Sequence, residues 1–277
     1  MIPVEFEYKK AKTLDDALTA LSSGNSKVLA GGHSLIPAMK LRLNQPALLV
    51  DIANIPALKG IREENGEIVI NAATTHGDIE RSKLIKEKLP FFNAAASMIG
   101  DVQVRNKGTI GGSLAHADPS ADWPALVLAS DASIEVASTS GNRTIHATDF
   151  FNGLFSTALQ ENEIITAVRI PIPAAGAKSV YLKFENPASR FAVVGCAVLR
   201  LATKQTSIAF TGVADYAFRD TNAETAVSGK NLDEDTINDA VNAAVFGVNV
   251  LSDNFASEDY RKHLAQVYLR RALQAVS

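Results

Sequence analysis

Thr109-Ile-Gly-Gly-Ser-Leu-Ala-His-Ala-Asp-Pro-Ser-Ala-Asp-Trp-Pro-Ala125 is the stretch whose reading decides the fold. It sets paired glycines after β-branched residues, then polar and acidic residues, then an apolar segment. Gly111 and Gly112 carry no Cβ, so the backbone here can turn through positive φ and approach a ligand closely. Successive N–H groups in such a turn form a concavity that attracts anions, phosphate above all. A second stretch of the same character, Ala30-Gly-Gly-His-Ser-Leu-Ile-Pro-Ala-Met-Lys40, lies far upstream. One glycine pair marks a plain turn at least as readily as a ligand site. Two in one chain, each before a helical pattern, suit the two phosphates of a dinucleotide.

The rest of the composition narrows the class. At 277 residues the chain has room for two or three lobes and a sizeable core. Its 47% hydrophobic and 21% charged residues describe a globular protein rather than a disordered one. A net charge of −3 with no basic stripe gives no footing for nucleic acid. The run Phe191 to Leu199 is far short of the roughly 20 residues of a membrane-spanning helix, so no transmembrane segment is expected. Met1-Ile-Pro-Val-Glu-Phe-Glu7 lacks a basic region followed by an apolar core, which predicts no signal peptide and a cytoplasmic setting. Cys196 is the single cysteine, so an internal disulfide, or a thiolate-held cluster housed by this chain alone, is excluded.

Around the glycine stretches the pattern is mixed α and β. Thr13 to Leu21 reads as a capped helix, with Leu14, Ala17, Leu18 and Leu21 on one face. Lys27–Ala30 and Ala47–Ile52 read as strands, and Leu35, Met39 and Leu43 as one helical face between them. Gly66–Ala72 is a strand behind an Asn-Gly turn. Thr75 opens a helix running through Ile79 to Leu89, and Phe91 to Ile99 forms another. Trp123–Leu128 is expected to be helical, with Ala132–Ala137 and Asn162–Ile170 as strands. Pro171-Ile-Pro-Ala-Ala-Gly-Ala177 is a boundary. After it, Val180–Glu185, Phe191–Ala202 and Thr206–Val213 suit an antiparallel meander. A final helix capped by Ser257 carries Tyr260, Leu264, Val267 and Tyr268 as its apolar stripe. The expected units are residues 1–56, 57–173 and 174–277.

Known chemistries with local signatures are missing. The five histidines have no partners at metal-ligand spacing, so a metal site is rejected. Neither a phosphate-binding Gly-x-x-x-x-Gly-Lys-Ser/Thr loop nor a Gly-x-Ser-x-Gly elbow occurs, and a Gly-x-Gly-x-x-Gly fingerprint is absent. Asp118 and Asp122 are four residues apart, but Pro119 favours a turn with a helix cap at Ser120 or Asp122. Ligand contact by Asp122 is compatible with that cap. His33 and His116 follow the glycine stretches and read as packing or hydrogen-bonding residues rather than catalysts; no catalytic residue is nominated.

Ala30-Gly-Gly-His-Ser34 and Thr109-Ile-Gly-Gly112, the latter followed by Leu-Ala-His-Ala-Asp-Pro, closely resemble the FAD-binding medium subunit of molybdenum hydroxylases. Gln103-Val-Arg-Asn-Lys-Gly-Thr109, Tyr181-Leu-Lys183 and Tyr260-Arg-Lys-His-Leu264 extend the likeness over essentially the whole chain. The resemblance implies an α+β fold: a PCMH-type (vanillyl-alcohol-oxidase-like) FAD-binding domain of two α/β lobes. A C-terminal domain with a three-stranded antiparallel sheet and helices completes it. It implies that Ala30, Gly31, Gly32, His33 and Ser34, with Thr109, Ile110, Gly111, Gly112 and Ser113, hold the FAD pyrophosphate. Asp122 would contact the nucleotide, and Lys183 and Phe191 the isoalloxazine. Ser113, Arg190 and Phe191 depart from Asn or Asp, from Asp and from Tyr found in relatives. Electrons from a molybdopterin large subunit would arrive through [2Fe-2S] clusters on a small subunit, in a dimer of heterotrimers. A self-contained flavin oxidoreductase, as in the peptidoglycan-precursor reductase family, and a non-catalytic nucleotide-binding scaffold remain alternatives.

Overall fold

Thr13 starts α1 (Leu14–Leu21) because its hydroxyl accepts from Asp16 N at 3.1 Å, while the Asp16 carboxylate turns back to Lys12 N. Ala17, Leu18 and Leu21 then pack with Val28 of β2 (Ser26–Leu29) and Val50 of β3 (Leu48–Asp51). The computed structural model describes all 277 residues, and it adds a strand the pattern did not announce, β1 (Glu7–Lys10). This charged segment becomes a strand by pairing in parallel with central β3, giving the order β1-β3-β2. In α2 (Leu35–Lys40) Met39 is buried, but Leu43 lies beyond the helix and is 79% exposed, so the expected face stops one turn early.

A five-stranded antiparallel sheet follows, in the order β4-β5-β10-β6-β7. It comprises β4 (Ile61–Glu64), β5 (Glu67–Asn71), β6 (Ser133–Ser138), β7 (Gly141–His146) and β10 (Ile164–Pro171). Asn65 and Gly66, at φ +53° and +80°, make the two-residue turn that joins β4 to β5. A small hairpin, β8 (Phe151–Gly153) and β9 (Ser156–Thr157), stands apart. Between β5 and β6 run α3 (His76–Arg81), α4 (Lys83–Lys88), α5 (Pro90–Met98), α6 (Val102–Arg105), α7 (Ile110–His116) and α8 (Trp123–Ala129). The single helix expected through Leu89 is therefore two. Ser82 adopts extended backbone (ψ 117°), ends α3 and caps α4 by accepting from Ile85 N. Phe92 stacks on Trp123 at 5.7 Å in the core over this sheet.

The third sheet holds the expected meander, β11 (Lys178–Glu185), β12 (Ala192–Arg200) and β13 (Thr206–Thr211), plus a two-residue fourth strand, β14 (Phe218–Arg219). All nine residues of β12 are buried, and the period of two sorts them between two cores. Val194, Cys196 and Val198 face α9 (Thr221–Val227), α10 (Glu234–Ala243) and α11 (Glu258–Ala275), while Ala197 joins the core containing Trp123. Ser257 caps α11 as expected, yet its buried stripe is turned from the expected one. Arg261, Leu264, Ala265, Leu269, Ala272 and Leu273 face inward, and Tyr260 is 45% exposed. Apolarity alone does not point to Arg261. It is buried because its guanidinium reaches Val193 O, Gly212 O, Leu251 O and the Asp253 carboxylate, fastening α11 to the sheet.

Two outcomes follow from buried polar groups. Arg261→Met leaves three carbonyls without a donor and should cost about 3–5 kcal/mol, read as a lower urea midpoint with α11 loosened in hydrogen exchange. His76, buried beside Trp123, has its pKa pushed from 6.5 down to about 3, first by loss of hydration and then by the nearby charges of His33 and Arg105. The unfolded chain therefore takes up a proton that the folded one refuses. Its contribution is intact above pH 6.5 and drains by roughly 1.4 kcal/mol per pH unit as pH falls toward 3. Stability of His76→Gln, measured by urea unfolding at successive pH values, should lack that component of acid sensitivity.

Candidate functional site

The first glycine loop leaves the edge strand β2 at Leu29 and enters α2. Gly32 sits at φ +76°, the one positive φ among Gly31, Gly32, Gly111 and Gly112. The backbone N–H groups of Ala30, Gly31, Gly32, His33, Ser34 and Leu35 find no acceptor in the chain; only at Ile36 does an N–H turn back, to Gly32 O at 3.0 Å. Six successive donors are thus left unpaired around a left-handed glycine, those of His33 to Leu35 at the entry to α2, an arrangement suited to an anion. Gly31 serves a different need. A Cβ there would stand 2.2 Å from Lys107 O and 2.8 Å from Gly108 Cα, so its bareness lets this loop rest on the segment leading into the second.

The second loop does not repeat the first. Thr75 and Thr109 form an isolated antiparallel bridge, flanked by His76 N to Gly108 O at 2.9 Å and Ile110 N to Thr74 O at 3.2 Å. Gly111 N donates to Ala72 O, Gly112 N to the capping Thr109 hydroxyl and Ser113 N to Thr109 O. The N–H groups from Ile110 to Ser113 are therefore spent inside the chain, and that of Thr109 alone stays free. The expectation that Gly111 and Gly112 turn through positive φ is corrected here: both lie in the first turn of α7. Their smallness is a packing requirement. A Cβ on Gly111 would fall 2.5 Å from Ala72 Cβ, and one on Gly112 would fall 2.8 Å from Thr109 Oγ1 and 3.9 Å from Ala30 Cβ. The two loops are neighbours, one offering donors and the other bracing it.

Asp122 stands at the start of α8 but makes no capping bond, which removes the cap reading. Ser120 is likewise no cap; its N–H closes a turn on the Asp118 carboxylate at 2.9 Å. The Asp122 carboxylate is 4% exposed and turns inward. It accepts from Tyr181 Oη at 2.5 Å and Lys183 Nζ at 3.0 Å. Lys183 Nζ also donates to Met98 O at 2.9 Å and Arg190 O at 2.8 Å, so its three protons are engaged. Burial pushes the Asp122 carboxyl upward, with Lys183 and the Tyr181 hydroxyl opposing, and it pushes the Tyr181 phenol well above its ordinary value. Arg190, at φ +59°, sends its guanidinium to Gly100 O and delivers Phe191, 43% exposed, to the rim of a cavity of about 200 Å³. Asp118, Ser120 and Asn186 share that rim.

Two participants carry no sequence signal of their own. His76 accepts from Trp123 Nε1 at 3.0 Å and packs its ring against Gly108. Arg105 pairs with Glu80 at 2.8 Å and donates to Ile99 O and Gly100 O, holding the turn that Arg190 also grips. His116 stands apart from the donor loop, 5.0 Å from the Phe155 ring.

Two family models cover nearly the whole sequence. Residues 4–173 match the FAD binding domain in molybdopterin dehydrogenase, and residues 179–276 the CO dehydrogenase flavoprotein C-terminal domain. The carbon monoxide dehydrogenase medium chain of Hydrogenophaga pseudoflava is 39% identical, over 99% of this chain and 98% of its own. The glyceraldehyde dehydrogenase medium chain of Sulfolobus acidocaldarius is 36% identical over the full length of both. Among solved structures, the H. pseudoflava carbon monoxide dehydrogenase matches with a TM-score of 0.96 and 40% identity, over 100% of this chain and 98% of that one. Quinoline 2-oxidoreductase from Pseudomonas putida 86 matches at 0.93 and 30% identity, with the same coverage. Two α/β sheets that meet at glycine loops, followed by an antiparallel sheet under helices, are the PCMH-type FAD domain and its C-terminal companion. The chain belongs to the FAD-binding medium-chain family of the molybdenum hydroxylases.

Proposed function

We propose that this chain holds FAD with its diphosphate against Ala30–Leu35. In this reading it relays electrons from [2Fe-2S] clusters of a small subunit, reduced by a molybdopterin large subunit, to an external acceptor. The observation that carries the site is the run of six unpaired backbone donors around Gly32. Charge-assisted hydrogen bonds from such donors to phosphate are the strong kind, and no side chain of the chain competes for them. Thr109 to Ser113 would support this loop from below, with the free Thr109 N–H as one more donor. Bound flavin would supply the redox chemistry, accepting electrons singly or in pairs.

Lys183, expected at the isoalloxazine, and Asp122, expected at the nucleotide, would both serve the ring end at one remove. Their shared bond anchors Arg190 O, so they position Phe191 and the Gly100 turn rather than spending free protons on the ring. The need for partners follows from the residues present. Cys196 is the chain's one thiol, enclosed in the C-terminal core, where burial pushes its pKa upward and keeps it a thiol rather than a ligating thiolate. An iron–sulfur cluster needs several thiolates, so the clusters lie on another polypeptide.

Substitution separates the two glycine roles. Gly32→Ala meets only the side chains of Ile36 and Leu29, at 3.2 and 3.3 Å, yet strains a left-handed φ. It should fold and weaken FAD retention by about tenfold. Gly111→Ala, forced against Ala72, should instead fail to fold or lose several °C in Tm. Flavin absorbance per folded chain, alongside circular dichroism, reads both; full flavin content in folded Gly32→Ala would sink the site.

Reconstitution tests the relay. The FAD-loaded chain alone, offered aldehydes, purines and N-heterocycles with a dye acceptor, should show no turnover. Activity should appear when iron–sulfur and molybdopterin subunits encoded with it are co-expressed. Robust turnover by the lone chain would favour a self-contained oxidoreductase.

A further inference from the structure

We infer that His76 is a binding residue for the cofactor's diphosphate, donating its Nε2–H to a phosphate oxygen between the two glycine loops. The inference rests on the reading that Ala30–Leu35 receives that diphosphate. Trp123 fixes which ring nitrogen carries the proton. Its indole Nε1–H can only donate, and it donates to His76 Nδ1 at 3.0 Å, so in the neutral ring the hydrogen is on Nε2. Burial beside His33 and Arg105 keeps the ring neutral at physiological pH. His76 is 5% exposed, and its Nε2 has no acceptor in the chain. No fully enclosed side-chain polar atom of the molecule lacks a partner. This unpartnered nitrogen therefore keeps a small opening to the outside rather than being sealed by packed apolar surface.

The surroundings identify the opening. His76 N is tied to Gly108 O, and a Cβ on Gly108 would stand 2.6 Å from Nε2. On another side of the same glycine, a Cβ on Gly31 would stand 2.8 Å from Gly108 Cα. Gly108 is thus neighbour to both the imidazole edge and the donor loop, and His33 of that loop is close enough for its charge to depress His76. A buried N–H left without an acceptor costs stability, and a polyanion in this opening supplies one. In this tautomer Nε2 can only donate, and it lies beside a loop of unpaired backbone donors, so an anionic acceptor such as a phosphate or diphosphate suits it and a cation does not.

The test uses the full chain, co-expressed with its partner subunits and deflavinated, and removes the imidazole without orphaning the indole. Trp123→Phe alone keeps the His76 imidazole but releases its Nδ1, and its FAD affinity is the reference for the double variant. His76→Phe in the Trp123→Phe background should bind FAD about tenfold to a hundredfold more weakly and displace the phosphorus-31 resonances of bound FAD. Inorganic pyrophosphate, titrated as a competitor, should lose affinity in the same proportion. Equal FAD affinity and unchanged phosphorus resonances in the two variants would overturn the role of His76 and leave the loop assignment standing. A parent that bound neither FAD nor pyrophosphate would overturn both.

Discussion

A buried carboxylate answered from another sheet holds the molecule in one piece. Asp122, at the start of α8, is met by Tyr181 and Lys183 of β11. Taking such a pair out of water costs several kcal/mol per ion, and the cost is offset only when the remaining protons and lone pairs also find partners. Here they do: Lys183 has Met98 O and Arg190 O. The residues just before Asp122 are sewn to the same sheet. Thr211 Oγ1 lies 2.6 Å from Ala121 O and 2.7 Å from Pro119 O and donates its one proton to either, Gly212 N donates to Pro119 O, and Ala192 N donates to Ser120 O. The segment that follows the second glycine loop is thus the seam between the flavin-domain core and the C-terminal sheet.

That seam explains why glycine recurs for unlike reasons in two similar-looking stretches. In the first, Gly32 supplies a left-handed φ within a run of unpaired N–H groups. In the second, Gly111 and Gly112 let a helix start directly against Ala72 and Ala30, with their own N–H groups consumed by the fold. Gly31 and Gly108 supply the contact between the two. A single substitution at each position would look alike in sequence and act on different links: ligand capture, helix seating, or loop apposition.

Much of this was legible beforehand. Thr13, Thr75 and Ser257 cap the helices expected of them, and the Asn65-Gly66 turn sits between its strands. What escaped has physical reasons. β1, with the composition Glu-Tyr-Lys-Lys, is a strand only because β3 lies beside it, and β4 and β7 are edge strands without a continuous apolar face. The break at Ser82 needs one extended residue that helical periodicity does not register. Arg261 lies inside through hydrogen bonds to distant carbonyls, which no hydropathy pattern encodes. His76 is silent for a similar reason: its meaning comes from Trp123, 47 residues away.

The unequal readability of the site has the same source. The first glycine loop is a run of unpaired backbone donors packed against its neighbour, so the sequence must keep residues small there, and that requirement is visible as paired glycines. The cavity rim at Phe191 is built from side chains on the β11–β12 connection, whose path is held by Lys183 on Arg190 O and by the Arg190 guanidinium on Gly100 O. Because Arg190 contributes its carbonyl and its left-handed φ as well as its side chain, an arginine can occupy this position and still close the turn. Phe191, 43% exposed, is then presented at the cavity rim by a fixed backbone. Variation at Arg190 and Phe191 therefore acts at the cavity rim, while the glycine loops are constrained by packing against each other and against Ala72.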